Sequence, residues 1–163
     1  MKTILLIRHA KSDQSFFGND FERPLNERGK NDVPIMAQRL LDKKINIDLF
    51  VASPAKRAKK TAELFCSNLN IKPEDICFVS KLYHASPETL HEVIFELEDN
   101  HNTVAIVTHN PGITYFVNEI SGSSIISNMP TCGIFTANVH CDKWTDFTKA
   151  KKEFLFYDYP KNV

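Results

Sequence analysis

ILLIRHAKSD, from Ile4 to Asp13, sends four apolar residues directly into an arginine and a histidine. The run is short and branched enough to be a strand buried on both faces. Arg8 and His9 then need a reason to stand at its end. Two readings compete: polar side chains meeting water where a strand stops, or the mouth of a site at the end of a sheet.

At 163 residues the chain is long enough to bury a core as one domain over 1–163. Its composition, 42% hydrophobic and 25% charged, is that of an ordinary soluble globular protein. Twenty basic residues balance twenty acidic ones. That balance makes no electrostatic case for nucleic acid or an anionic membrane as partner. Any anion site must be a local concentration of cations. The opening MKTILLI is too short for a signal-peptide core, lacks a cleavage site and is broken by Arg8. No stretch is long enough to span a bilayer. Cys66, Cys77, Cys132 and Cys141 lie far apart without a C-x-x-C pair and read as buried, reduced thiols. A cytoplasmic location and a monomeric state are expected.

Working outward, apolar runs at Thr3–Ile7, Asp48–Ala52, Ile76–Val79 and Thr103–Thr108 predict strands. Helical spacing joins Val33, Met36, Ala37, Leu40 and Leu41, and then Ala58, Ala62, Phe65 and Leu69. It returns in Leu90, Val93, Ile94 and Leu97, and in Ile113, Phe116, Val117 and Ile120. Strands alternating with helices predict an α/β layer structure with a mainly parallel sheet. The first helix could start at Asn26, with Pro34 bending it, or near Asn31, which avoids the proline. Thr131–Val139 and Lys152–Tyr157 read as strands with no good helix between them, an antiparallel addition at the sheet edge. Trp144, in their connection, reads as packing. No repeat, linker or low-complexity segment interrupts the chain.

Ser53-Pro54, Ser86-Pro87 and Asn110-Pro111 each set a capping residue and a proline at an expected helix start. Helix starts carry free N–H groups and partial positive charge, and in a parallel sheet they gather at the strands' carboxyl ends. Taken singly, each pair is simply a good cap. Beside them, however, His9 ends the first strand, His109 ends the fourth, and Arg57 lies one turn into the second helix. With Arg8 this gives two fixed cations and two imidazoles, with no acidic neighbour in sequence. Such a cluster repels itself unless an anion sits in its middle. A phosphoryl group fits, because guanidinium forks match its oxygens. Arginine beside a metal cation is electrostatically wrong, and there is no H-x-x-x-H or carboxylate cluster. A G-x-x-x-x-G-K-S/T loop and a G-x-S-x-G elbow are both absent. Phosphoryl chemistry at histidine, without a metal, remains.

R-H-A at Arg8–Ala10, S-P-x-x-R-A at Ser53–Ala58 and T-H-N-P-G at Thr108–Gly112 resemble the histidine phosphatase superfamily, which is related to phosphoglycerate mutases. RPLNERG at Arg23–Gly29, LYHASPETL at Leu82–Leu90 and MPTCGI at Met129–Ile134 are similar to the small SixA-type phosphohistidine phosphatases, as is Ala10 in place of the superfamily's glycine. The resemblance implies a three-layer αβα sandwich, phosphoglycerate mutase-like, with a mostly parallel six-stranded sheet and one antiparallel strand. It implies that His9 is the nucleophile, forming a phosphohistidine intermediate, and that Arg8, Arg57 and His109 hold the phosphoryl oxygens. Arg23 is a further phosphate contact on this reading, or a surface ion pair. No cofactor and no metal are implied.

One departure matters. Many superfamily members carry a glutamate after the third strand that protonates the leaving oxygen. Here Leu82–Ser86 contains none. Glu88 is the first carboxylate, placed where a helix start would favour it anyway, and His84 is the other candidate donor. The chain also carries no insertion after the first or third strand long enough to lid the site. An uncovered site without a strong acid suits a phosphohistidine-bearing protein, whose P–N bond asks less of an acid than an alkyl ester does. The alternatives are a small phosphorylated metabolite as substrate, or a phospho-ligand binding module without turnover.

Overall fold

The computed structural model describes residues 1–122 and 125–163. Six strands form one sheet among them: β1 Lys2–Arg8, β2 Leu49–Ala52, β3 Cys77–Phe78, β4 Thr103–Thr108, β5 Ile134–Val139 and β6 Lys152–Asp158, in the order β3-β2-β4-β1-β5-β6. β1, β2, β3 and β4 pair in parallel. β5 runs antiparallel to both β1 and β6, so it alone opposes the sheet's direction. The expected six strands with one reversed are therefore present.

Alternation along each strand builds two cores. Leu5, Ile7, Phe50, Ala52, Ala105 and Val107 face one way, against Val33, Met36, Ala37 and Leu40 of α1 (Glu27–Asp42) and Ala58, Ala62 and Phe65 of α2 (Lys56–Asn68). Ile4, Leu6, Val51, Val104 and Ile106 face the other way, against α3 (Pro87–Phe95) and α4 (Gly112–Ser121). A parallel strand covered on both faces is apolar throughout, as ILLI is. Trp144 is fully buried in the second core, and its indole N–H donates to the His101 carbonyl.

Several expectations need correction. α1 starts at Glu27 with Asn26 as its cap, accepting from the Gly29 amide. Pro34 lies inside the helix on its exposed side, where the carbonyl it leaves unpaired meets water. Leu41 points outward and is 45% exposed. The third strand shrinks to Cys77–Phe78 at the sheet edge, so the Cys77 thiol is exposed and not buried. Cys141 is only partly covered, while Cys66 and Cys132 are buried; all four are free thiols. β5 starts at Ile134, not Thr131, because the preceding turn puts Cys132 at φ 61° and aims its N–H at the carbonyls of Arg8 and His9.

The three proline-marked helix starts also divide. Ser86 caps α3 as expected, with Pro87 in the first turn. Ser53 and Asn110 do not cap their helices. α2 has Ala55 at its cap position, and α4 starts at Gly112 after a cis Asn110–Pro111 peptide. Both side chains are used elsewhere.

Two glycines of the quoted motifs are contact points. A Cβ on Gly29 would run into the Lys11 carbonyl, and one on Gly112 into the Ala85 carbonyl. These approaches clamp the segments that follow β1 and β3. Gly29→Ala and Gly112→Ala should each destabilise the protein by about 1–3 kcal/mol through overpacking against backbone, read by urea unfolding. Unchanged unfolding midpoints would mean these segments are not clamped.

Candidate active site

The parallel register of β1 and β4 pairs Arg8 with Thr108. One residue further, His9 and His109 stand side by side at the carboxyl ends of adjacent strands, ring centroids 5.1 Å apart. Chain direction also divides here: β1 leads through α1 to β2 on one side, and β4 leads through α4 to β5 on the other. A crevice opens at such a switch point. Its recess, about 340 Å³, is lined by Arg8, His9, Arg57 and His109, with Arg23 also on its wall. Five of the residues singled out from sequence are thus brought together.

His9 is held from several directions. Its amide donates to Thr108, its carbonyl accepts from Cys132, and its Nδ1 lies 2.8 Å from the Ala10 carbonyl. A carbonyl only accepts, so the proton sits on Nδ1 and Nε2 keeps its lone pair. Thr61, one turn beyond Arg57, fixes the next peptide: its Oγ1 accepts from the Ala10 amide and donates to the Arg57 carbonyl. Burial first, then His109, Arg8 and Arg57, hold the His9 imidazole well below its usual pKa of 6.5, against a smaller opposing effect of the Ala10 carbonyl. It is a neutral base at neutral pH.

His109 is neutral for similar reasons, pushed down to about 3 by burial and then by Arg57. Its Nε2 lies 2.8 Å from the Ser53 hydroxyl, whose oxygen also accepts from the Ala55 amide. The hydroxyl can donate to Nε2 or accept from it, according to the tautomer of His109, and the ring's other nitrogen is Nδ1. That nitrogen is buried with no protein partner among the described residues, as are Arg8 Nε and Arg57 Nε. Asn110, displaced from the cap position, binds the Asn128 side chain and the Met129 carbonyl, and Met129 also receives Arg8 Nη1 at 2.8 Å.

Sequence spacing missed one anion. Asp20 lies in the 3-10 turn Asp20–Glu22, inside the segment between β1 and α1 that was expected to leave the site open. Arg57 Nη1 donates to the Asp20 backbone carbonyl at 2.8 Å and Nη2 to its carboxylate at 3.1 Å. Arg23 and the Tyr83 hydroxyl donate to the same carboxylate at 2.7 and 2.6 Å. These bonds hold the Asp20 carboxyl far below the usual range, with Tyr83 contributing most, so it stays charged and is no proton donor. The cation cluster therefore carries its own carboxylate, which no local pattern announces because 37 residues separate Asp20 from Arg57.

The two proton-donor candidates part company. His84 is exposed and lines, with His109 and Tyr115, a neighbouring recess of about 290 Å³. Glu88 lines neither recess. Its carboxylate is turned to its own backbone N–H and the Ser86 hydroxyl, which lower its pKa. Among the described residues no three His, Cys, Asp or Glu side chains converge as a metal-binding group.

Two measurements test this geometry. In an NMR titration the ring signals of His109 should not move between pH 8 and 5. Below about 6.5 an unfolded imidazole takes up a proton that folded His109 refuses until about 3, so stability should fall as pH falls through that window. His109→Gln should flatten this slope in urea unfolding. Asp20→Asn removes a negative charge beside Arg57 and should tighten inhibition by inorganic phosphate on the order of tenfold. An unchanged inhibition constant would show that the carboxylate does not oppose anions there.

Residues 4–76 match the model of the histidine phosphatase superfamily (branch 1). An uncharacterised protein of Mycobacterium tuberculosis is 29% identical over 164 residues, covering 95% of this chain and all of that one. A structure from Agrobacterium tumefaciens, described as "the putative phosphohistidine phosphatase SixA", is 25% identical with a TM-score of 0.82 and 98% of each chain covered. A SixA structure complexed with tungstate has a TM-score of 0.83 at 21% identity, again over 98% of both chains. The matched segment holds Arg8, His9 and Arg57, and the shared fold supplies the strand that delivers His109: over residues 4–76 the chain is similar to the histidine phosphatase superfamily, and its fold is SixA-like.

Proposed function

We propose that the protein hydrolyses phosphohistidine on a protein substrate through a covalent phosphohistidine of its own. The observation that carries this reading is the His9 ring: neutral, its Nδ1 tied to the Ala10 carbonyl, in a recess lined by Arg8, Arg57 and His109. Nε2 attacks phosphorus as the bond from phosphorus to the leaving nitrogen breaks. Arg8, Arg57 and His109 meet the phosphoryl oxygens, where fixed donors lower the barrier most. Arg23, held by Ser12 and Asp20, lies at the edge of the same recess and orders the turn that restrains Arg57. Water then attacks the phosphoenzyme, releasing inorganic phosphate and neutral His9. The cycle consumes one water, and the leaving imidazole gains one proton.

His84 supports the choice of substrate. It is the exposed imidazole beside His109, and a weak acid at that place suffices for a phosphoramidate. Glu88, turned to its own helix start, offers no stronger acid for an alkyl ester. Four free cysteines fit a reducing compartment, in keeping with a cytoplasmic location.

Rapid quench with a phosphohistidine protein should trap an acid-labile phosphate on His9. His9→Ala should lose the label and at least about 10³-fold in turnover. kcat/KM should be higher on that protein than on phosphoserine peptides or sugar phosphates, with aryl phosphates turned over slowly. Full activity in His9→Ala would remove the mechanism. A sugar phosphate as best substrate would replace the protein by a small metabolite.

A further inference from the structure

A second recess, of about 580 Å³, is larger than the one that holds His9. Several of its lining residues are sequence neighbours of those at the His9 recess. Asp20, Arg23 and Arg57 belong to the reacting site, while their neighbours Phe21, Glu22, Pro24 and Lys56 line the larger recess. The two are also joined through rings. Phe21 packs edge-on against Tyr83 at 5.1 Å, and Tyr83 packs edge-on against His109 at 5.6 Å.

The larger recess has an apolar floor of Phe21, Pro24, Leu25 and Pro54 and a rim that carries Lys30, Lys56, Lys59 and Lys60. Glu22 and Glu63 are its acidic members, so the rim keeps a positive excess in a chain of zero net charge. All four lysines are exposed. Among the described residues, Lys56, Lys59 and Lys60 enter no ion pair, and Lys30 reaches only Glu27, on its own helix, at 3.6 Å.

Three of these lysines fall in the first two turns of α2, which has no acidic residue in its first turn and no side-chain cap. α1 and α3 carry Glu27 and Glu88 there, while α4 has neither an acidic nor a basic residue in its first turn. Cations at the positive end of a helix dipole destabilise it. The arrangement works against α2 itself, whereas it complements an anionic surface brought to the recess.

We infer that this lysine-rimmed recess docks an acidic face of the phosphoprotein substrate, seating one apolar side chain on the Phe21–Leu25 floor, next to the segment that restrains Arg57. The inference rests on the protein-substrate reading above. Opposite charge across such a contact speeds encounter and fixes orientation, an effect that salt weakens. An aryl phosphate, which has no acidic face, would not feel it.

The experiment is the triple charge reversal Lys56→Glu/Lys59→Glu/Lys60→Glu, assayed with a phosphohistidine protein of acidic surface and with an aryl phosphate. On the protein, kcat/KM should fall at least about tenfold at low salt, mainly through KM. On the aryl phosphate it should stay within twofold. Salt should depress wild-type kcat/KM on the protein and leave the aryl reaction flat. Thermal unfolding supplies a separate readout: reversal places acids in the first turn of α2, so Tm should hold or rise. Equal kcat/KM of variant and wild type on the protein would overturn the docking surface. A fall in Tm with loss of both activities would also overturn it, by making the lysines structural. If the wild type failed on the phosphoprotein while hydrolysing the aryl phosphate, the substrate reading itself would be at fault.

Discussion

The pairing of β1 with β4 is the constraint on which the rest depends. Parallel strands in fixed register leave no freedom in which residues end level, and here Arg8 pairs with Thr108. His9 and His109 are neighbours because Thr3 lies beside Thr103 six positions earlier. A slip of one residue would turn Leu5 and Ile7 from one core to the other and would separate the imidazoles in the same step. Burying two apolar faces therefore aligns the site as a by-product.

Around that alignment, polar groups are fixed by backbone more than by one another. The Ala10 carbonyl sets the His9 proton, Met129 anchors Arg8, and the Asp20 carbonyl takes one end of Arg57. Carbonyls change neither charge nor rotamer. Burial makes both imidazoles poor acceptors of protons, which preserves the His9 lone pair where an exposed histidine would begin to lose it below about pH 6.5. The Arg8 guanidinium is held below its ordinary pKa by burial first and then by Arg57.

Much of this was legible in the chain. ILLI ending in Arg8-His9 and VAIVT ending in His109 announce two buried strands with reactive ends, and the proline-marked starts announce where helices leave them. Periodicity finds what a core requires, because each apolar position repeats a local rule. It fails where one residue answers to a distant one. Asp20 sits in a segment without helical or strand pattern, and its partners Arg57 and Tyr83 come from two other segments. Ser53 and Asn110 look like caps because capping is the commonest use of those residues before proline, and only the folded site reveals the claims of His109 and Met129 on them. For Glu88 the sequence already offered the local purpose of a carboxylate at a helix start, and its contacts with its own backbone N–H and the Ser86 hydroxyl are of that kind. Cys77 went wrong at the sheet edge, where a two-residue strand buries nothing.

Asp20 also bears on how the site empties. A pocket of arginines and imidazoles would retain inorganic phosphate, the product of any phosphatase and an abundant ion, and so stall after each cycle. Here an internal carboxylate is tethered to Arg57 through both side chain and backbone. Every oxyanion that approaches Arg57 must share it with a competitor that never diffuses away. The competitor weighs equally on free phosphate and on a substrate's phosphoryl group, but a substrate has contacts elsewhere with which to offset it. Turnover then owes something to an anion that takes no part in the chemistry.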